Sequence, residues 1–437
     1  MSFLKRLARG VQRKLNDTPA FRRYPGLSHY PPPTSLRVAH ITDLHWIQEE
    51  PPEWKLLLGR RMLAYANLKY GGRTDMFCPE TRQQMLDKLV ELKPDVVMIT
   101  GDLTYTSLPS EFAAAKLALR PILDNFPTFI IPGNHDKYTR SHITEMRKHF
   151  GPWMGVTMVD SIHNSLLPVF SYKDLYILGI DSAVPNILWS RGHYHKNLLK
   201  KLGVTLTPEH EQYPPRVYPP LTERVRYLRA PQDCLNFLNK YVILATHYPV
   251  LDRNGKDYSK VHPYHGADNN FRLMQILDSA QVKPHMICHG HDHQAFSQIL
   301  EVEPPASDPN PAKIPIEIHN PGSLSLKYSM PKSRSDWHRI AGMNIYHLSR
   351  DDVGVWTTDV ERWIHNGREV IREEVPYSSF RKFGEEDPFA VKTSASVAAS
   401  SDSGSSGSSS VNPQGSVSAS TSATPQAEST LNAESKQ

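Results

Sequence analysis

Cysteine is scarce in this 437-residue chain: Cys78, Cys234 and Cys288 are far apart and odd in number. No disulfide framework or CxxC zinc site follows from them, and a reducing compartment is favoured. Long apolar runs are absent too. Nothing approaches the roughly 20 residues that span a bilayer, and the N-terminus lacks the uninterrupted apolar core of a secretory signal. Nor is there a large excess of one charge, since 50 Lys and Arg against 45 Asp and Glu leave +5. That balance is mild for a nucleic-acid binder, and no basic–aromatic interleaving suggests a groove for a single strand, so nucleic acid is not an expected partner. Hydrophobic residues make up only 39%. Part of that deficit lies in residues 392–437, rich in Ser, Ala and Gly and free of aromatics. Such a stretch cannot bury enough apolar surface to fold alone and reads as a disordered tail.

What the chain has is a series of short apolar runs, each delivering a polar block. Leu36–Thr42 is followed by Asp43-Leu44-His45, and Asp95–Thr100 by Gly101-Asp102. Thr128–Ile131 leads into Pro132-Gly133-Asn134-His135-Asp136, Tyr241–Thr246 into His247-Tyr248-Pro249, and His285–Cys288 into His289-Gly290-His291-Asp292-His293. Leu175–Ile180 is a further apolar strand, and Ile314–His319 and Met343–Leu348 read as closing strands around a turn at Asn320-Pro321-Gly322. With helices expected over Thr81–Leu92 and Glu111–Leu123, the βα alternation predicts an α/β sandwich.

The blocks carry metal and proton chemistry. In a strand-like extension, residues two apart share a face, so Asp43 and His45 can reach one ion, and His291 and His293 repeat the spacing. A glycine before Asp102 lets the carboxylate stand clear of the backbone, which suits a bridging ligand. Gly133 permits a tight turn, Asn134 offers an amide oxygen, and His135 can carry a proton near neutral pH. Asp136 is a candidate both for orienting His135 and for a simple turn role. His40 reads as a core histidine, and His193 and His195 as surface residues.

The five blocks, in this order, resemble the calcineurin-like metallophosphoesterase superfamily of bacterial type, over about residues 36–348. The resemblance implies a four-layer αββα sandwich and a hydrolase with two divalent ions, Mn, Fe or Zn. Asp43, His45, Asp102 and His293 would hold one ion, and Asp102, Asn134, His247 and His291 the other, with Asp102 bridging. The pair would activate a hydroxide to cleave a phosphodiester, phosphomonoester or pyrophosphate, with His135 facing the substrate's leaving oxygen and Asp136 beside it. Tyr105 fits the GDxxY spacing of purple acid phosphatases, but His45 departs from them. The single His247 before Tyr-Pro departs from the double histidine of many cyclic-nucleotide phosphodiesterases. Narrower expectations are a UDP-2,3-diacylglucosamine pyrophosphatase-like enzyme at a membrane surface and a cyclic-nucleotide phosphodiesterase. A DNA nuclease and a non-catalytic scaffold are also carried.

Residues 1–35 are expected to be a basic amphipathic segment and linker, 36–350 the catalytic domain, 351–391 an extension and 392–437 the tail. A lid-like insertion is expected over about 183–231. In Met1–Asn16, Phe3, Leu4, Leu7, Val11 and Leu15 form one helical face and Lys5, Arg6, Arg9, Arg13 and Lys14 much of the other, which suits peripheral membrane contact. A second basic amphipathic helix is expected over Trp54–Arg73. The substrate class expected is a small phosphorylated molecule, and the location the cytoplasm or the inner face of its membrane.

Overall fold

Strand β1 (Ser35–Ile41) alternates its side chains between two neighbours, and this sets the layering. Ala39 and Ile41 join Met85, Leu89, Phe112 and Ile122 in one apolar core. His40 faces the other way, its ring held by Tyr346 Oη and Thr100 Oγ1, both at 2.9 Å. A buried imidazole satisfied at both nitrogens is a core residue, as the sequence suggests. These coordinates are a computed structural model, which describes residues 35–48, 52–58, 60–138, 140–155, 167–183, 191–207, 240–304, 313–329, 339–350 and 356–373. The expected N-terminal amphipathic segment and the Ser-rich tail lie outside the described residues.

Two six-stranded sheets form the middle of the molecule. In the first, β1, β2 (Val96–Ile99) and β3 (Thr128–Ile130) run parallel. It continues on the other side of β1 through antiparallel β10 (Gly342–Arg350), β11 (Trp356–His365) and β12 (Val370–Arg372). In the second, β5 (Leu175–Ile180), β6 (Tyr241–Thr246), β7 (Met286–Cys288) and β9 (Ile314–Pro321) are parallel. Antiparallel β4 (Val169–Tyr172) and β8 (Ala295–Val302) form its edges. Parallel neighbours need crossovers, and helices supply them except between β7 and β9, which are joined through β8. The helices α2 (Pro79–Leu92), α3 (Pro109–Asn125) and α4 (Arg140–Phe150) cover the first sheet. On the far side, α5 (Lys196–Leu206) and α6 (Asn270–Ser279) cover the second. The result is a four-layer αββα sandwich.

Within the stretch expected as an insertion, α5 buries Leu198, Leu199, Leu202 and Leu206 against the second sheet, so this part is a layer helix; residues 184–190 and 208–239 are outside the described set. Likewise β11 and β12 carry the first sheet past residue 350. One expectation needs correction. Trp54–Arg73 is not a single helix: Trp54–Leu57 is a 3₁₀ turn, α1 spans Arg60–Tyr70, and Arg73–Met76 is a second 3₁₀ turn. Leu58 is extended before Gly59, and Gly72 at φ 67° ends the helical stretch in a conformation that favours glycine.

Candidate metal and catalytic site

Parallel strands end at one edge, so β1, β2, β3, β6 and β7 deliver all five polar blocks to the same rim. The side chains that meet there fall into two groups that can hold an ion: Asp43, His45, Asp102 and His293, and Asp102, His247 and His291. Asp102 belongs to both. Asn134 adds its amide oxygen to the second, 3.0 Å from His247 Nε2 and 2.8 Å from His291 Nδ1.

The way Asp43 and His45 come together differs from the sequence expectation. They do not alternate on an extended strand, because β1 ends at Ile41. Asp43 and His45 have φ of 53° and 46°, and Asp102, His291 and His293 are left-handed as well. Five of the eight described non-glycine residues with positive φ are thus in this set, so the strain is concentrated where the polar atoms converge. His291 and His293, at the same spacing, fall in different groups rather than at one ion.

Hydrogen bonds outside each group orient the donors. Thr100 O accepts a hydrogen bond from His247 Nδ1 at 2.8 Å, and His265 O accepts one from His291 Nε2 at 2.8 Å. A carbonyl can only accept, so these contacts leave His247 Nε2 and His291 Nδ1 directed at Asn134 Oδ1. Asp43 Oδ2 accepts from His291 N at 2.9 Å, and Asp102 Oδ1 from His135 N at 2.8 Å. The other oxygen of each carboxylate, Asp43 Oδ1 and Asp102 Oδ2, is buried without a hydrogen-bond partner. Around them stand His293 Nε2, 3.3 Å from Asp43 Oδ1, and His247 Nε2, 3.3 Å from Asp102 Oδ2. His45 Nε2 is 2.8 Å from His293 Nε2. Orphaned carboxylate oxygens and converging imidazole nitrogens are what a bound cation satisfies. The mixed N and O donors suit a transition metal or zinc, not the all-oxygen cage of calcium.

The protonation equilibria express the same field. Burial alone would raise the Asp43 carboxyl, but the imidazoles of His293 and His247 hold it at about 2. Burial opposes charge on His247, yet the Asp102 carboxylate, 3.3 Å from its Nε2, lifts that imidazole to about 9. His45 and His291 are pushed well down by burial and by neighbouring imidazoles. A negative pocket that draws a proton onto His247 is one that a divalent cation would neutralise.

His135 and Asp136 have different settings. His135 Nδ1 is 2.7 Å from both Tyr105 O and Tyr138 Oη, and burial lowers its basicity against the raising effect of Asp102. Asp136 is fully buried, and its carboxylate accepts from Gly133 N, Leu103 N, Thr104 N and Thr104 Oγ1 at 2.9–3.1 Å. It braces the Gly101–Thr104 loop against the Gly133–Asp136 loop, and the groups on its oxygens do not include the His135 ring. Of its two candidate roles, the geometry matches the turn. Burial, followed by the charge of Asp102, pushes this carboxyl up to about 6.

Several contributors are silent in the sequence. Phe77 packs its ring 4.5 Å from that of His45 and 5.7 Å from that of His293. Arg82 donates to Leu44 O and His45 O and stacks over Trp46 at 4.0 Å. Ser323 Oγ donates to Asp43 O at 2.7 Å, just after the Asn-Pro-Gly stretch that reads as a plain turn. Asn320 in that stretch ties down Gly290 O and Asp292 Oδ1. Tyr138, three residues after His135, is the one with a local signal. Tyr105 lies edge-on to His45 at 5.7 Å and packs its ring 4.8 Å from that of His135, while its carbonyl meets His135 Nδ1.

The family model for calcineurin-like phosphoesterases matches residues 36–295. No curated protein matches the sequence. Among solved structures, the chain is similar to a dimetal phosphatase from Danio rerio, at 13% identity and a TM-score of 0.37, over 78% of this chain and 99% of that one. It is also similar to the NAD nucleotidase of Haemophilus influenzae, at 12% identity and a TM-score of 0.36, over 79% of this chain and 54% of that one. A third is the purple acid phosphatase of yellow lupin seeds, at 11% and 0.40, over 81% and 54%. The chain thus matches about half the length of the last two.

Proposed function

The chain belongs to the calcineurin-like phosphoesterase family, and from that membership we propose that it hydrolyses a phosphoric ester or anhydride with two divalent ions. Asp43, His45, Asp102 and His293 hold one, and Asp102, Asn134, His247 and His291 the other. The observation that carries this reading is Asp102 Oδ2, a buried oxygen with no hydrogen-bond partner and a member of both donor groups. When bound, such ions acidify water and neutralise phosphate oxygens. The protein's own work is positioning and proton handling. Thr100 O and His265 O lock the tautomers of His247 and His291, and Asp136 fixes the spacing of the two loops that present Asp102 and Asn134. With His135 Nδ1 donating to Tyr105 O, Nε2 is the nitrogen left to take up a proton and hand it to a leaving oxygen.

The test is hydrolysis by the full chain loaded with Mn, Fe or Zn, on a panel covering each bond type. It contains a p-nitrophenyl phosphomonoester, a bis(p-nitrophenyl) diester, cyclic AMP and UDP-2,3-diacylglucosamine. Two bound ions per chain and cleavage of at least one substrate are expected. Asp102→Asn should lose both ions and the activity together, and His135→Asn should lose activity with the ions retained. Retention of two ions by Asp102→Asn would sink the bridging assignment.

A further inference from the structure

Large apolar side chains are concentrated on one part of the surface. Of the twelve exposed among the described residues, seven lie between Trp54 and Met76, so the exposure is not scattered. Trp54, Leu58, Met62, Leu63 and Tyr70 are each more than half exposed, and Tyr70 is 90% exposed. The segment is nonetheless anchored. Arg61 donates to Leu56 O, Thr106 O and Ser107 O, and Leu68 is buried with Phe77, Tyr105 and Leu326. One face of α1 is therefore fixed to the catalytic body while the opposite face offers apolar groups to solvent.

Charge narrows what covers that face. From residue 54 to 76 the sequence has Lys55, Arg60, Arg61, Lys69 and Arg73 against a single carboxylate, Asp75. A second copy would meet it with the same cations. Met1–Asn16, the chain's own amphipathic stretch, carries five Lys and Arg and no acid, so it is repelled as well. The Ser-rich residues 392–437 have no aromatic to pack there. A partner must be anionic and must take up Trp, Leu, Met and Tyr side chains without a shaped socket. A lipid–water interface does both: acyl chains accept the apolar groups, Trp and Tyr suit the headgroup level, and anionic headgroups pair with Lys and Arg. No described helix is long and apolar enough to cross a membrane, so the contact is peripheral.

We infer that the Trp54–Met76 segment docks the protein on an anionic phospholipid surface. The segment ends beside the metal-binding rim, since Phe77 touches His45 and His293, and a cleft of about 780 Å³ lined by Trp46, Leu68, Lys69, Phe77 and Arg82 runs beneath it. Docking therefore sets the catalytic rim next to the headgroup layer. This inference does not depend on which bond the site cleaves.

The test is co-sedimentation of the full chain with vesicles of phosphatidylcholine containing phosphatidylglycerol, against phosphatidylcholine alone. Binding is expected only to the anionic vesicles, with release in high salt. Lys55→Glu and Lys69→Glu should each weaken it by about fivefold or more. The double variant Leu58→Glu and Met62→Glu alters exposed side chains, so unfolding midpoint and hydrolysis of a soluble ester should be unchanged while vesicle binding is lost. Wild-type failure to bind anionic vesicles overturns the inference. So does undiminished binding by the double variant, which would place the contact elsewhere, such as in residues 1–16. A wild-type dimer that the double variant dissociates would make a second copy the occupant. Binding to an acidic polymer without vesicle binding would overturn the lipid assignment equally.

Discussion

One methyl group, placed at two different glycines, separates the catalytic geometry from general stability. At Gly133 an added Cβ would stand 2.1 Å from Asp102 Oδ1 and 2.3 Å from Asp102 N. The second contact is backbone, so rotation of a side chain cannot relieve it. The Gly133–Asp136 loop and the Asp102 turn must part, and a displacement of about 1 Å at reacting groups costs on the order of 100-fold in rate. Overpacking of this kind also costs about 1–3 kcal/mol. At Gly203, inside α5, the nearest atom is Ile276 Cγ2 at 3.8 Å, an ordinary contact. There the same change raises helix propensity and stabilises by about 0.5–1 kcal/mol. Urea unfolding, metal content and kcat/KM on a substrate that the wild type cleaves should therefore move in opposite directions or not at all. Gly133→Ala is less stable and about 100-fold slower, while Gly203→Ala is slightly more stable with unchanged kinetics. If Gly133→Ala keeps wild-type kcat/KM and metal content, the close approach of the two loops does not set the site, and the reasoning fails.

Other groups give independent checks. Glu111 is buried at the start of α3, where burial, against hydrogen bonds from Thr106 and Leu108, raises its carboxyl from 4.5 to about 7. The folded state thus holds this proton more tightly, so its stabilising effect is complete below about pH 4.5 and is lost as pH rises through 7, a difference of roughly 3 kcal/mol. Urea titrations between pH 5 and 8 should show a falling stability that Glu111→Gln flattens; identical slopes would contradict the assignment. In the ladder of β11 and β12, the buried Arg362 is held by Glu373, 3.1 and 3.2 Å from its Nη1. Glu373→Gln removes the carboxylate charge from this buried pair and should cost about 3–5 kcal/mol in an equilibrium unfolding experiment. A loss below 0.5 kcal/mol would mean that β12 contributes little to the first sheet.

The buried parallel strands were legible because each is flanked by layers on both faces and so reads as a short continuous apolar run. Leu175–Ile180 and Tyr241–Thr246 coincide with the runs that announce them. Strands with one wetter face were not: β11, WTTDVERWIH, mixes buried and part-exposed positions and presents no run to notice. In α4 the buried Ile143, Met146 and Phe150 keep helical spacing, but charged residues between them mask it. At the site, the polar blocks after the apolar runs picked out side chains that the strand ends bring together. The conformation that groups them was hidden. Nothing in Asp-Leu-His signals a left-handed backbone at its first and third residues. Asp136 shows a similar limit, since its four hydrogen bonds come from groups as far as 33 residues away in sequence.

The donors come from both sheets. Asp43, His45, Asp102 and Asn134 follow strands of the first, and His247, His291 and His293 follow strands of the second. By the proposed assignment, neither ion has its complete shell until the two layers have met. A nascent chain that has emerged through Asn134 has only part of each donor set, and it stays inert until His293 has left the ribosome and the second sheet has closed. Loop closure over 248 residues, from His45 to His293, precedes any catalysis. The ions would then act as rivets between the layers, and metal occupancy becomes a readout of finished assembly. A refolding experiment followed by metal uptake would time the joining of the two halves, where a probe of helix or strand content would report only their separate formation.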